Sequence, residues 1–278
     1  MQPAAAVETD DRPPRLDYRD FQRSVVLLSS FRSGSHMLKL SLARLASMAA
    51  PAEPFNHGFA PEDGYTLKSY LSEGGPKPSL MTDGHAAVHH FLARFYRQMP
   101  ERRGIILDIK YPQAYAFGVN AAMQVPVAVP VILEELNKLN IPFLHLTRRD
   151  KVAQAISLMV AEDNGEYLVK AGEEVAANQL RLSPRDVLAR AIQLRNASDN
   201  ARTVMDALGV RSHSVTYEGL ISAAWRDQYR AIFRFIDQYA DIPADFVAPT
   251  RPQVSSSRVS NIADIRTYVG ERAADLNG

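Results

Sequence analysis

The sequence predicts an α/β protein, a parallel sheet flanked by helices, and three observations predict it. Short apolar runs at 24–29, 104–109 and 143–147 have the length of strands, and 212–216 looks like a fourth. Stretches with helical spacing of apolar residues lie between them, and proline or glycine stands where several of those helices start or stop. Strands that alternate with helices bury both faces of a parallel sheet, and ligands of such sheets sit beyond the carboxyl ends of the strands. The polar residues just after each strand are therefore the ones to read for chemistry.

The first run, Ser24-Val25-Val26-Leu27-Leu28-Ser29, carries adjacent valines and reads as a strand buried on both faces. From His36 to about Met48 the apolar residues Met37, Leu38, Leu40, Ala43, Leu45 and Met48 recur mostly at helical spacing, and Pro51 and Pro54 end that helix. Gly104-Ile105-Ile106-Leu107-Asp108-Ile109 reads as the second strand. A helix follows over 131–140, closed by Ile141-Pro142. Phe143-Leu144-His145-Leu146-Thr147 is the third strand, with a helix over 151–162 directly behind it. Val187, Leu188, Ala191, Leu194, Ala201, Val204, Met205 and Leu208 trace one face of a long helix, with Ser183-Pro184 at its start and Gly209 at its stop. Ser212-His213-Ser214-Val215-Thr216 is the fourth strand, and a further helix is expected over 225–239.

Composition limits the functions available. In 278 residues, 46% hydrophobic, the 32 Lys and Arg nearly cancel the 31 Asp and Glu, so no global field favours nucleic acid or an anionic membrane. Any anion must be held by a local cluster. Cysteine is absent, which removes disulfides, thiolate metal sites and cysteine nucleophiles and suits a reducing compartment. No run approaches the roughly 18 consecutive apolar residues of a membrane span. Residues 1–17 lack both the basic start and the apolar centre of a signal peptide. The expectation is a cytoplasmic enzyme with a flexible tail over 1–20 and a single α/β domain over 21–278.

Behind the first strand stands Ser29-Ser30-Phe31-Arg32-Ser33-Gly34-Ser35-His36. The N–H groups that open the next helix, and its dipole, favour an anion. Gly34 permits close backbone approach, Ser33 and Ser35 offer hydroxyls, and Arg32 adds a fixed positive charge. The stretch is not a Walker A loop, which needs Gly-Lys-Ser/Thr after a first Gly and four residues. By itself it also suits an ordinary strand-to-helix turn.

The stretch resembles the 5′-phosphosulfate loop of sulfotransferases that use 3′-phosphoadenosine-5′-phosphosulfate (PAPS). The Arg-Ser-Gly-Ser form is typical of the bacterial carbohydrate sulfotransferases, including the trehalose 2-sulfotransferase group. His36 departs from the Ser or Thr usual at that position. Behind the third strand, Thr147-Arg148-Arg149-Asp150-Lys151-Val152-Ala153-Gln154-Ala155-Ile156-Ser157 is similar to the segment in which those enzymes carry an Arg and a Ser eight residues apart. Arg149 and Ser157 have that separation (157 − 149 = 8), and the resemblance implies that both serve the donor's 3′-phosphate. Tyr217, in Val215-Thr216-Tyr217-Glu218, corresponds to a Tyr near the adenine, and packing against a helix start explains it equally well. Arg258 falls where many members close a basic loop over the 3′-phosphate. The resemblance spans about 24–258 and is specific at the first two motifs. It implies a P-loop-like sheet (the sulfotransferase fold), PAPS as donor with 3′,5′-ADP as product, no required metal, and a homodimer as a frequent family state.

The transfer resembles phosphoryl transfer, in which positioning and charge stabilisation dominate. Arg32 is placed to stabilise charge on the leaving phosphate. Ala50-Pro51-Ala52-Glu53-Pro54-Phe55-Asn56-His57 matches the Pro-x-Glu-x-Phe setting of the trehalose 2-sulfotransferase group, which implies Glu53 as general base, with His57 the rival. Lys110, just after the second strand, is expected to point into the same cleft. The acceptor implied is a hydroxyl of a small molecule, a carbohydrate or glycolipid. A P-loop-type kinase using ATP and a non-catalytic nucleotide-binding protein are the competing readings. His85 and His89 stand at i, i+4, near His90 and Asp83, yet Ala86-Ala87-Val88 leaves no intervening acid of a helical zinc motif, and no metal site is expected there.

Overall fold

The computed structural model describes residues 21, 23–56, 65–73, 84–99, 104–120, 128–164, 180–238, 241–246 and 258–276. The tail over 1–20 and His57 and Asp83 lie outside these residues.

Four strands form one parallel sheet: β1 (Val25–Ser29), β2 (Ile106–Lys110), β5 (Phe143–Thr147) and β6 (Ser212–Thr216), in the order β2-β1-β5-β6. The protein is therefore α/β, with a four-stranded parallel sheet flanked by helices. A two-residue pair, β3 (Val119–Asn120) and β4 (Val129–Pro130), is antiparallel and separate from it. The helices are α1 (Ser35–Leu45), α2 (Leu67–Ser72), α3 (Gly84–Arg97), α4 (Val131–Lys138), α5 (Lys151–Asn164), α6 (Pro184–Leu208), α7 (Tyr217–Ile221), α8 (Trp225–Phe235) and α9 (Ile262–Gly270).

Period-two alternation sends β1 side chains to two different cores. Val25 and Leu27 pack with Met37, Leu38 and Leu42 of α1 and with Tyr229, Ile232 and Phe233 of α8. Val26 and Leu28 face Phe91 and Phe95 of α3, Ile132 and Leu136 of α4, and Val204 and Met205 of α6. A third core, centred on Val152 and Ile156 of α5, Ala191 and Leu194 of α6 and Ile265 and Val269 of α9, fixes α5 beside the sheet. Ser183 caps α6 by accepting from the N–H of Asp186, Pro184 opens the helix, and Gly209 closes it at φ 61°.

The strand pattern read from the sequence agrees in all four runs, with β2 running over Ile106–Lys110 rather than from Gly104 to Ile109. Helices α2, α3, α7 and α9, the β3–β4 pair and the 3-10 turn over Tyr111–Tyr115 were not read as elements. The expected helix over 225–239 stops at Phe235.

Candidate functional site

The sheet order creates a topological switch point. From β1 the chain crosses to β2 on one side, then returns to β5 on the other, so the segments after β1 and β5 diverge from neighbouring strand ends. A crevice at that position is where open parallel sheets bind ligands. Both sequence motifs lie there: residues 30–34 follow β1 and residues 148–150 follow β5.

The β1 loop is wired from within and from α5. Ser33 Oγ donates to the carbonyl of Ser30 (2.8 Å), so this hydroxyl is turned inward and shapes the turn. The amide Nε2 of Gln154 donates to Ser30 Oγ (2.6 Å) and to the carbonyl of Phe31 (2.8 Å). Arg32 adopts a left-handed backbone (φ 60°), and its Nε donates to Ser157 Oγ at 2.9 Å. Gly34, also left-handed at φ 90°, stands at the N-cap of α1, where no side chain caps the helix. The first N–H groups of α1 thus keep the donor capacity that every helix start leaves over. The Tyr217 ring lies directly on Gly34; a Cβ there would meet Tyr217 Cδ2 at 2.5 Å. The guanidinium of Arg148 covers that ring at 4.7 Å from its centroid, and its Nη1 reaches the carbonyl of Arg32 at 3.5 Å.

A buried charge network runs beneath the same loop. Lys110 Nζ donates to Ser35 Oγ (2.9 Å), pairs closely with Asp108 Oδ1, and stands 3.4 Å from Glu53 Oε1. Gln113 Nε2 donates to Glu53 Oε2 (2.6 Å), while Gln113 Oε1 accepts from the N–H of Lys110 (2.9 Å). Lys39 completes the set, with its Nζ 3.6 Å from Asp108 Oδ2 and donating to the carbonyl of Pro51 (3.0 Å). Two ammonium groups and two carboxylates balance, as a desolvated cluster requires. Ser35 accepts from Lys110 and still has its own O–H to donate.

After β5 the arrangement differs from a simple phosphate cradle. The carboxylate of Glu218 accepts from the N–H groups of Arg149 (3.0 and 3.1 Å) and Asp150 (3.2 Å). The Arg149 side chain is 65% exposed, with its Nε 3.8 Å from Glu218. Asp150 caps α5 by accepting from the N–H of Ala153 (2.7 Å) and binds Arg266 through its other oxygen (2.8 Å). Lys151 is 7% exposed, and its Nζ has no hydrogen-bond partner among the described residues. Burial pushes its ammonium pKa down; Glu218 and Asp199 work against this, and Arg148 and Arg202 add to it.

Comparison with known proteins gives no family. No family model matches the chain, and no curated protein matches it.

The structure joins Arg32 to Ser157, and Glu53 to Lys110 and through it to Ser35. Tyr217 is set against Gly34, and Ser33 is folded into its own loop. His36 is half-buried in the first turn of α1. Arg149 is held by Glu218. Arg258 is buried just before α9, its carbonyl accepting from the N–H of Leu180 at 2.7 Å. Sequence reasoning missed Gln154, Gln113, Lys39 and Glu218. Gln154 had a signal, since it stands three residues before Ser157 and shares its helix face. Gln113, Lys39 and Glu218 had none, because their roles come from strand pairing and helix docking.

Proposed function

We propose that the chain is a sulfotransferase of P-loop-like fold that moves a sulfuryl group from PAPS to a hydroxyl of a small-molecule acceptor, a carbohydrate or glycolipid. The observation that carries the reading is the Arg32–Ser157 hydrogen bond. It ties together the two segments whose sequences resemble the phosphosulfate and 3′-phosphate motifs, at the carboxyl edge of the sheet. The uncapped start of α1 fits an anionic group, and the stacked pair Tyr217 and Arg148 offers an aromatic and cationic wall beside it.

The donor supplies a sulfuryl group attached to a phosphate leaving group. Arg32 and the α1 amides would hold and neutralise that phosphate as charge grows on it. Ser35, steadied by Lys110, donates its hydroxyl to the same anion. Glu53, positioned by Gln113 and Lys110, accepts the proton of the acceptor hydroxyl. In this role Lys110 orients Glu53 and also supports the charge of Ser35's ligand. The absence of cysteine suits a cytoplasmic setting.

Calorimetric titration with 3′,5′-ADP and with ATP, each with and without magnesium, tests the reading. Binding of 3′,5′-ADP without metal, lost in Arg32→Ala, supports it. Selective magnesium-dependent binding of ATP would overturn it in favour of a kinase.

A further inference from the structure

On the α3–α4 side of the sheet, four side chains from two helices meet around one buried carboxylate. Glu135 of α4 has a side chain only 4% exposed. Its Oε1 accepts from His85 Nδ1 of α3 at 2.6 Å, and its Oε2 is in close contact with Nε2 of His89, one turn further along α3. Glu134 joins from the next position on α4, with His85 Nε2 3.9 Å from its Oε2. One ligand atom each from His85, Glu134 and Glu135 lies within 4.8 Å of the others. Lys138 brings a cation to the cluster, its Nζ 2.9 Å from Glu134 and 2.8 Å from Glu135.

We propose that His85, His89, Glu134 and Glu135 form a zinc site that clips α3 to α4. The donor set of two imidazoles and two carboxylates is one that zinc accepts in a cysteine-free protein. Charge supports the assignment, since one dication with two neutral imidazoles and two carboxylates sums to zero in a partly buried place. Tetrahedral zinc separates its ligand atoms by about 3.4 Å, so His85, Glu134 and Glu135 take the ion by side-chain rotation, and His89, outside that three-residue group but in contact with Glu135, rotates in as the fourth ligand. Lys138 stands in the way only weakly. Its side chain is 52% exposed and regains water and rotamer freedom when displaced. The helical histidine pair was visible in the sequence; its acids come from α4, some 46 to 50 residues away, and no spacing rule connects them. The site is separate from the β1 loop and does not depend on the proposed transferase reading.

The full chain, stripped by a chelator, is titrated with zinc against a chromogenic chelator near neutral pH, and cobalt is substituted to read geometry. The expected result is one equivalent bound with a dissociation constant of about 1 μM or lower, with intense visible cobalt bands of tetrahedral type. His85→Ala and His89→Ala should each weaken binding by roughly tenfold or more, and zinc should raise the melting temperature of the parent but not of His85→Ala. His85 is 32% exposed at its side chain, so its replacement tests the ion without emptying the core. Lys138→Ala should bind zinc as tightly or more tightly. Three results would overturn the site: no stoichiometric binding at about 100 μM zinc, affinity unchanged in His85→Ala, or weaker binding in Lys138→Ala.

Discussion

The Nε of Arg32 donates to the hydroxyl of Ser157 at 2.9 Å, across a separation of 125 residues. This bond couples the turn after β1 to the second turn of α5, so the two segments present their remaining donors from one rigid unit. It also fixes the guanidinium of a residue whose left-handed backbone could otherwise relax.

If that coupling shapes the anion site, the two side chains will not act independently. Ser157→Ala should weaken 3′,5′-ADP binding by about tenfold and Arg32→Ala by about 100-fold, in the range of charge-assisted hydrogen bonds. The double variant should lose less than the product of the two. Calorimetry on all four proteins measures this, and strict additivity would show that the bond plays no part in the site.

Gly34 is constrained twice, by φ 90° and by Tyr217 Cδ2 at 2.5 Å from any added Cβ. The left-handed backbone alone costs a non-glycine residue about 1–2 kcal/mol. Gly34→Ala should therefore lower unfolding free energy by about 2 kcal/mol or more in urea titrations. In a Tyr217→Leu background the loss should shrink toward the backbone share alone.

The layers of the fold were legible because β1, β2 and β5 are short apolar runs and the long helices α1, α4, α5 and α6 repeat an apolar face. Val26 and Leu28 are simply Val and Leu in an alternating strand, whatever covers them. Ser33, Gly34 and Ser35 were equally legible as a turn, but which hydroxyl faces outward was not. That choice depends on Ser30 accepting one and Lys110 arriving from β2 to meet the other. Arg149 illustrates the same limit. Its position after β5 follows from the strand pattern, while its pairing with Glu218 depends on β6 lying beside β5. Helix α3 was not read although Val88, Phe91, Leu92 and Phe95 form an apolar face, Arg94 and Arg97 stand in its last turn and Pro100 follows it; the histidines at its start drew the reading toward metal chemistry instead.

Glu53 is the residue expected to separate turnover from binding. Glu53→Gln keeps the shape beside Gln113 and removes the proton acceptor. Turnover to sulfated product should fall by about 10²–10⁴-fold, while 3′,5′-ADP affinity stays within about threefold. Steady-state rates and calorimetry on the same preparations measure both. A full rate in Glu53→Gln with a collapse in His57→Ala would transfer the base to His57.

His145 of β5 gives stability a pH dependence with a defined window. It is 1% exposed, and its Nε2 is hydrogen-bonded to the Tyr111 hydroxyl at 2.8 Å. Burial, aided by Arg202 and Lys151, pushes the imidazole pKa down from 6.5 to about 4. The unfolded chain takes up a proton near pH 6.5 that the folded protein refuses until about pH 4, so between these values the unfolded state binds more protons. Stability contributed by the neutral imidazole is complete above the higher value and declines as pH falls, by about 3 kcal/mol at the lower one. Glu135 acts in a lower window. Burial opposes its charge, but hydrogen bonds from Lys138, His85 and His89 outweigh burial and hold its carboxyl below the ordinary 4.5, so its contribution is lost only below that value. Urea titrations from about pH 7.5 to about pH 4.5 should show a decline in the parent that His145→Gln reduces, while any further decline below that range persists in the variant. An unchanged slope in His145→Gln would mean that another group carries the acid sensitivity.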